Sequence, residues 1–474
     1  MKHPPGLDTL SVRLARFGCS QGVAPPRPFR EGAASRFESR VKTAPGKSPG
    51  RAVPSPQCGA DTMVSDERQR GGEPRDGHDF EADDNSSGRD NGRGTLMWSP
   101  SYLRNALGPH GSRSSPESPS SQVIDRSVPS KLAAGRTLPR VLVVYPIEAT
   151  FVQTDVQILN GFCDVRTLHF SRSSHLPTLL KEVARADVVF AWFALGFAAI
   201  ANVLSRALGK KSILVSGGWD VVGMPEIKYG TLLTRRGRLG ARWALATADS
   251  VLAFSEWSTA RIRELAPTAN VRTVYLGVDT SEFVPQKKEN LVVCVAHVSR
   301  ENLIRKGLRE FVRASARVPE ARFVLVGEHW DETVGELRRE GGSNIEYPGR
   351  ISDRDLRGLL AQAKVYVQPS YTEGFGLALV EAMSAGCVPV VTNSGALSEV
   401  VGEVGYYVEY GDVDGIARAI RMALESHRGA EARSRVEQKF RIDQRSRELR
   451  DAVMKLWPQA GNSSTVESRG AAKV

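Results

Sequence analysis

Two carboxylates, Glu373 and Glu381, lie eight positions apart around a glycine-rich stretch that contains Gly374 and Gly376. Carboxylates accept hydrogen bonds from hydroxyl groups, and glycines let an anion approach the main chain closely. At about 1.5 Å per helical residue the two carboxylates would be on the order of 12 Å apart, beyond the roughly 5–9.5 Å that separates a hydrolase's carboxylate pair. The spacing favours one carboxylate for a sugar and one for a ribose, with a diphosphate between them.

The elements that must position these groups are a strand and a helix. Residues 364–368 are apolar and β-branched, which predicts a buried strand, and the residues after Gly376 are rich in Leu, Ala, Glu and Met, which predicts a helix. The glycines therefore lie at a strand-to-helix junction. Free main-chain N–H groups and the positive end of the helix dipole face outward there, so the junction is a predicted anion site.

With residues 386–401, this stretch resembles the retaining glycosyltransferases of the GT-B fold, family 4, and the resemblance runs from about residue 140 to 458. It implies that Glu373 binds the donor sugar at the catalytic centre and that Glu381 binds the ribose. The alternative is that Glu373 is a loop-surface residue and Glu381 a solvated helix position. The other donor-binding residues implied by the resemblance are Gly374, Phe375, Gly376 and Leu377.

A basic segment, residues 297–308, could neutralise the diphosphate. The resemblance implies a lysine and an arginine here: Lys306 matches the lysine, and for the arginine we expect Arg300 first, then Arg305, with His297 as a further candidate. The alternative is a solvated basic loop. Donor contacts near the base are expected on family analogy at Gly327, Gly349 and Arg350.

The acceptor side is expected directly after the strand predicted at 212–216. The following residues resemble the pattern G-G-x-D-x-x-x-x-P-E-x-x-Y-G of a prokaryotic subgroup of family 4. Gly217 and Gly218 stand where many members carry a histidine, which leaves the acceptor-side catalytic role open. Asp220 is the first candidate for it, and Glu226 is the second polar group. The alternative is that both acids only hold a turn.

We expect no metal site and no cofactor other than the nucleotide-diphosphate sugar used as donor substrate. Two D-x-D sequences, 353–355 and 412–414, are better explained as helix starts, with Asp412 as an N-cap. The sequence has no HExxH motif and no Cys/His cluster. The family keeps the donor's anomeric configuration by front-face attack, so the expected catalysis is electrostatic and needs no protein nucleophile.

Apolar strands alternate with helices in two successive series, which predicts two doubly wound α/β domains facing across a cleft. A low-complexity N-terminal region rich in Arg, Ser, Pro and Gly predicts disorder, and Met97 is an alternative start. The predicted organisation is a disordered extension at 1–137, an acceptor domain at 138–280, a donor domain at 281–430, a helix crossing back to the first domain at 431–458 and a disordered tail at 459–474.

The net charge of +11 raises the alternative of a nucleic-acid or membrane-surface protein. A cluster at 235–245 mixes arginines with apolar residues, which would suit anionic lipid or a solvated helix face. The five cysteines form no CxxC pair, no secretory leader is recognised, and the longest apolar run, 188–201, is short of the ~20 residues that span a bilayer. That run is predicted to be a buried strand passing into a core helix.

The sequence thus predicts a cytoplasmic hexosyltransferase with a saccharide or glycolipid acceptor, a peripheral contact at the inner face of an anionic membrane, and no nucleic-acid partner. The alternatives are a catalytically silent GT-B binding protein, a basic membrane-surface module, a sugar-nucleotide epimerase and a glycoside phosphorylase. The donor base and sugar, the acceptor, the pathway and the oligomeric state stay open.

Overall fold

The computed structural model describes residues 138–457, which build two parallel six-stranded sheets with helices between their strands. The predicted fold class, two doubly wound domains, is confirmed. The predicted extension at 1–137, with Met97, and the predicted tail at 459–474 lie outside the described residues. Within the described part no helix is long and apolar enough to cross a membrane.

The first sheet has the strand order β2-β1-β3-β4-β5-β6, with every neighbouring pair parallel. Its strands are β1 Arg140–Tyr145, β2 Asp164–His169, β3 Val188–Trp192, β4 Lys211–Ser216, β5 Ser250–Ala253 and β6 Val271–Thr273. Its helices are α1 Thr150–Asn160, α2 Leu176–Arg185, α3 Gly196–Ala207, α4 Arg235–Thr247 and α5 Glu256–Leu265.

The predicted apolar run at 188–201 forms β3 and the start of α3. All five residues of β3 are buried, because a central parallel strand is covered by helices on both faces. The edge strand β2 was not predicted. None of its residues is fully buried, and its sequence, Asp-Val-Arg-Thr-Leu-His, lacks the continuous apolar run of the central strands.

The second sheet has the order β12-β11-β10-β7-β8-β9, again all parallel. Its strands are β7 Glu289–Val295, β8 Arg322–Val326, β9 Ile345–Gly349, β10 Ala363–Gln368, β11 Val388–Thr392 and β12 Tyr406–Val408. Its helices are α6 Arg300–Arg305, α7 Leu308–Ser315, α8 Thr333–Glu340, α9 Asp353–Gln362, α10 Leu377–Ser384, α11 Leu397–Val401 and α12 Val413–Glu425.

The two D-x-D sequences both stand at helix starts. Asp412 caps α12 by accepting a hydrogen bond from the Gly415 amide at 2.8 Å. Asp353 is the first residue of α9, whose cap is Ser352. These positions agree with the helix-start interpretation of both sequences.

Where the sequence predicted one C-terminal helix, the structure has two, α13 Gly429–Lys439 and α14 Ile442–Leu456. The break has a clear cause: the Val278 amide donates to the Phe440 carbonyl at 2.9 Å, and the Ile442 amide donates to the Val278 carbonyl at 2.9 Å. The chain that connects the two sheets therefore pairs with the break itself.

Helix α14 packs on the first domain through a buried ion pair. Both Arg445 and Asp155 are almost fully buried, and two hydrogen bonds of 2.6 Å join the guanidinium to the carboxylate. Arg445 also donates to the carbonyls of Val274 and Tyr275, at 3.1 and 3.0 Å. These contacts hold α14 to the end of the first sheet.

Candidate functional site

The candidate site lies where the second sheet reverses its direction of winding. Strands β7 and β10 are neighbours at the centre of the sheet. After β7 the chain continues toward one edge, to β8, and after β10 it continues toward the opposite edge, to β11. Ligands of open α/β sheets bind at such switch points. The loop after β7 leads into α6, and the loop after β10 leads into α10, so both predicted donor segments meet here.

Glu373 is buried in the loop after β10 and forms an ion pair with Lys306. The same oxygen, Oε1, also accepts hydrogen bonds from Gln368 Nε2 at 2.9 Å and Ser370 Oγ at 3.0 Å. Burial alone would raise the pKa of the Glu373 carboxyl, but the Lys306 and Arg305 cations hold it below its usual range. An ionised carboxylate is thus fixed through one oxygen.

Lys306 follows directly on α6, and its position depends on the glycine after it. The Lys306 amide donates to the Asn302 carbonyl at 2.9 Å, and Gly307 adopts a left-handed conformation with φ 61°. A Cβ on Gly307 would lie 2.1 Å from the Pro369 carbonyl oxygen, so a side chain would separate α6 from the loop after β10. Burial lowers the pKa of the Lys306 ammonium, and the nearby Glu373 opposes that shift.

The two candidate arginines of α6 point to different places, and the predicted order is reversed by the geometry. The Arg300 side chain is 70% exposed and pairs with Glu336 of α8 at 2.7 Å. Arg305 lies beside Lys306 and Glu373, and its Nη2 donates to Asn302 Oδ1 at 2.7 Å. Its Nε is buried and has no partner among the described residues. Arg305, not Arg300, accompanies Lys306 at the switch point.

Two further basic residues, His297 and Arg350, border the same cluster. The His297 ring stacks on Trp330 with ring centroids 4.3 Å apart. Partial burial lowers the pKa of His297, and the nearby charges of Arg350, Lys306 and Arg305 lower it further, against Glu328. The sequence-predicted residues His297 and Arg350 are therefore close to the Lys306 and Arg305 pair.

Gly327 and Gly349 lie at the carboxyl ends of β8 and β9, where the Gly327 amide donates to the Gly349 carbonyl at 3.0 Å. A Cβ on Gly327 would lie 2.0 Å from the Ala296 carbonyl oxygen, so this glycine is needed for packing against the loop after β7. A Cβ on Gly349 would meet only His329, at 3.9 Å, which leaves open space on that side.

Glu381 lies on α10 in a partly buried, acidic environment. Burial, together with the nearby charges of Asp353 and Glu282, raises the pKa of its carboxyl to about 7, against the effect of Arg357. Glu381 therefore changes its charge near neutral pH, unlike Glu373.

The turn between the two carboxylates presents main chain rather than side chains. The first-turn amides of α10, including that of Leu377, have no helix partner by position. The Phe375 ring, counted among the donor-binding groups, is buried and packs 5.5 Å from Phe440 and 6.2 Å from Tyr275, measured between ring centroids. Only the main chain of Phe375 is therefore available to a ligand.

The first domain approaches this turn closely. A Cβ on Gly374 would lie 2.7 Å from the Gly217 carbonyl oxygen and 2.9 Å from the Phe254 ring. Gly217 itself has φ 142°, and a Cβ there would meet Ser258 at 2.6 Å. The predicted acceptor-side and donor-side glycines are thus in contact, and Gly218 lies in the same place.

Asp220 is fully buried, and its contacts are those of the alternative given above, in which it holds a turn. Its carboxylate accepts hydrogen bonds from the Ala194 amide (2.8 Å), Ser216 Oγ (2.7 Å), the Gly217 amide (3.3 Å) and the Gly218 amide (2.9 Å). Both carboxylate oxygens accept these hydrogen bonds and so hold the loop after β4. Asp220 therefore stabilises the loop from the protein interior. Glu226 is exposed in a short 3₁₀ turn and contributes no hydrogen bond to this loop.

Two residues of the site were not assigned from the sequence. Tyr229 of the first domain places its ring 5.0 Å from the Arg305 guanidinium carbon. Glu399 crosses from the second domain to accept hydrogen bonds from the Glu256 and Trp257 amides, at 2.7 and 3.2 Å, at the start of α5. Tyr229 belongs to the recognised P-E-x-x-Y-G pattern, which was the only signal for it in the sequence.

No group of three or more His, Cys, Asp or Glu side chains within residues 138–457 is arranged to hold a metal ion. The polar groups at the switch point are instead cations, amides and one ionised carboxylate, which together suit a phosphate-containing ligand with hydroxyl groups.

Residues 289–426 match the family model described as glycosyl transferases group 1. The chain is 31% identical over 206 residues to the O-antigen chain mannosyltransferase B of Escherichia coli, covering 38% of this chain and 53% of the relative. It is 30% identical over 238 residues to the GDP-mannose:cellobiosyl-diphosphopolyprenol alpha-mannosyltransferase of Xanthomonas oryzae, covering 47% of this chain and 60% of the relative. The matches thus span little more than half of each relative.

Among solved structures, HepE of Anabaena in complex with UDP and glucose superposes with a TM-score of 0.56 and 17% identity, covering 67% of this chain and all of the other. At this identity the likeness establishes the fold alone. The family model, by contrast, covers all six strands of the second sheet.

Proposed function

We propose that this chain, whose residues 289–426 belong to the group 1 glycosyl transferases and whose fold is GT-B, is a retaining hexosyltransferase. It would move a sugar from a nucleotide-diphosphate donor to a saccharide or lipid-linked acceptor without a metal ion. The observation that carries this proposal is the partly buried Lys306–Glu373 pair beside Arg305 at the switch point between β7 and β10.

The leaving diphosphate is held by Lys306, by Arg305 and by the amides at the start of α10. Two fixed cations can offset the charge that grows on the leaving group, which is the task that a divalent metal performs in other transferases. The cations are already ordered by contacts within the protein, so little reorganisation is needed when the bond to the sugar breaks.

Glu373 orients the sugar rather than attacking it. All three hydrogen bonds that its carboxylate accepts from the described residues go to Oε1, so Oε2 remains to accept from a sugar hydroxyl. Front-face attack by the acceptor hydroxyl would then keep the anomeric configuration without a protein nucleophile. Glu381, the second carboxylate, is assigned to the ribose hydroxyls.

For the donor we propose GDP-mannose, because the Escherichia coli and Xanthomonas relatives are both named as mannosyltransferases and the name of the Xanthomonas relative includes GDP-mannose. That relative's name also gives a diphosphopolyprenol acceptor, which supports a lipid-linked acceptor for this chain. The open side of Gly349 near Arg350 offers a place for the base.

The proposal is tested by following GDP-mannose and, in parallel, UDP-glucose with the full chain in EDTA, using octyl mannoside and octyl glucoside as surrogate acceptors. Proton NMR reads the anomeric configuration of the product. We expect release of GDP that depends on an acceptor, and an α-linked product. Release that needs Mn²⁺, or a β-linked product, would contradict metal independence or retention, respectively.

A peripheral membrane contact is the second part of the proposal, and α4 is the element that supports it. The helix contains no Asp or Glu, and its side chains Leu239 and Trp243 are 70% and 48% exposed. Exposed arginines flank this apolar pair on the helix surface. Arg235 and Arg242 lie on one side of the pair, and Arg236 lies on the other. Such a face fits an anionic lipid surface.

Sedimentation with vesicles of phosphatidylcholine alone, or with about one third phosphatidylglycerol, tests this contact. We expect binding only to the anionic vesicles, and we expect Arg236→Glu or Trp243→Ala to weaken it. The matched control is Arg339→Glu on α8, an exposed arginine of the second domain, which should bind as the unaltered protein does. Equal losses for Arg236→Glu and Arg339→Glu would exclude α4 as the contact.

A further inference from the structure

Tyr229 is held rigidly in the first domain by its own loop. Its amide donates to the Met224 carbonyl at 3.0 Å, and its carbonyl accepts from the Met224 amide at 2.7 Å. Lys228, directly before Tyr229, takes a left-handed conformation with φ 51°. A Cβ on the following Gly230 would lie 2.1 Å from the Val222 carbonyl oxygen, so the loop closes tightly behind the tyrosine.

The Tyr229 ring reaches the second domain and covers the Arg305 guanidinium, 5.0 Å from the ring centroid. A guanidinium over an aromatic face is attracted by the ring's electron density and keeps its N–H groups directed outward in its own plane. Arg305 is also fixed from within the second domain. Its Nη2 donates to Asn302 Oδ1, and the Asn302 side-chain Nδ2 in turn donates to the His297 carbonyl at 2.9 Å.

Arg305 therefore has one support from each domain. The Asn302 contact belongs to α6 and exists in the second domain alone. The Tyr229 contact exists only while the first domain lies against the second, as it does at the close approach of Gly217 and Gly374. The orientation of this cation thus depends on the closed arrangement of the domains.

We propose that Tyr229 is a positioning residue that fixes the Arg305 guanidinium for the diphosphate of the donor when the domains close. The inference rests on the proposed function and deepens it. It links the loop that carries the acceptor-side residues Asp220 and Glu226 to the cation that stabilises the leaving group. Tyr229 acts through Arg305, and its hydroxyl has no part in this role.

The test compares Tyr229→Leu, which removes the aromatic face, with Tyr229→Phe, which keeps it. Calorimetric titration with GDP and, in parallel, UDP gives the affinity for the diphosphate. We expect the leucine variant to bind the preferred nucleotide about tenfold more weakly, as a cation–π contact of ordinary strength allows, and the phenylalanine variant to bind within about twofold of the unaltered protein. An equal loss in both variants would overturn the proposal.

A double-mutant cycle separates positioning from simple support of the fold. In an Arg305→Gln background, Tyr229→Leu should cause no further loss of affinity, because the group it positions is already gone. The same tenfold loss in both backgrounds would show that Tyr229 only supports its loop, and would overturn the inference. Failure of the unaltered protein to bind either nucleotide would instead overturn the proposed function itself.

Discussion

Arg300 and Arg305 lie five positions apart on one short helix, and they give the sharpest test of the site at the scale of single residues. Because Arg305 lies beside Lys306 whereas Arg300 pairs with Glu336 on the surface, we expect Arg305→Gln to lower donor turnover about 100-fold, and Arg300→Gln to change it less than about threefold. Steady-state kinetics of both variants measures this. The opposite ranking would restore the order expected from the sequence.

Asp220 and Glu226 form a second pair of contrasting residues. Asp220→Ala leaves four donors, three of them buried, without their acceptor, so we expect the free energy of unfolding to fall by about 3 kcal/mol. The exposed Glu226→Ala should stay within about 0.5 kcal/mol of the unaltered protein. Urea unfolding compares them. Full stability with lost turnover in Asp220→Ala would mean that Asp220 acts on substrate.

Glu381 gives a prediction on pH. Burial and the nearby acids raise its pKa to about 7 in the folded protein, so folding disfavours the ionised form. Stability from this group is fully present below its unfolded pKa of about 4.5 and is lost as the pH rises toward 7, by up to about 3 kcal/mol. We expect Glu381→Gln to lose less stability than the unaltered protein across this interval in urea titrations. Parallel curves for the two proteins would contradict the assigned environment.

At the scale of elements, the turn between β10 and α10 depends on the absence of a side chain at Gly374. A methyl group there would press on the Gly217 carbonyl and the Phe254 ring across the cleft. We expect Gly374→Ala to lower turnover at least tenfold while the fold is kept. Gly358→Ala within α9 is the control, since nothing lies within 4 Å of its added Cβ and alanine favours helices. Normal turnover in Gly374→Ala would show that the cleft need not close this far.

How far the elements could be predicted depended on how local their signals are. Strand β3 is a continuous apolar run and β10 has an apolar centre, residues 365–367, and both were predicted from these residues, whereas β2 lies at an edge and lacks such a run. The break between α13 and α14 depends on Val278, more than 150 residues earlier, so no local pattern could reveal it. Within the site, too, the decisive contacts are between residues distant in sequence. Arg300 pairs with Glu336, and Arg305 contacts Tyr229 of the other domain.

At the scale of the whole molecule, two parallel sheets meet at their carboxyl ends, and contacts from both sides complete the site. Glu399 caps α5 across the cleft, Gly374 meets Gly217, and α14 is held to the first domain by Arg445. The sequence predicted two facing domains from the repeated strand–helix alternation. It could not predict which side chains meet, because that depends on the distance between the domains.

The most direct test of the central claim is thermal unfolding of the full chain with GDP, UDP and ADP in EDTA, beside the Arg305→Gln variant. If the switch point is a metal-independent donor site, one nucleotide at about 100 times its Kd should raise Tm by about 5 °C, and the variant should lose most of that shift at the same concentration. No shift with any of the three nucleotides, or an equal shift in the variant, would contradict the account.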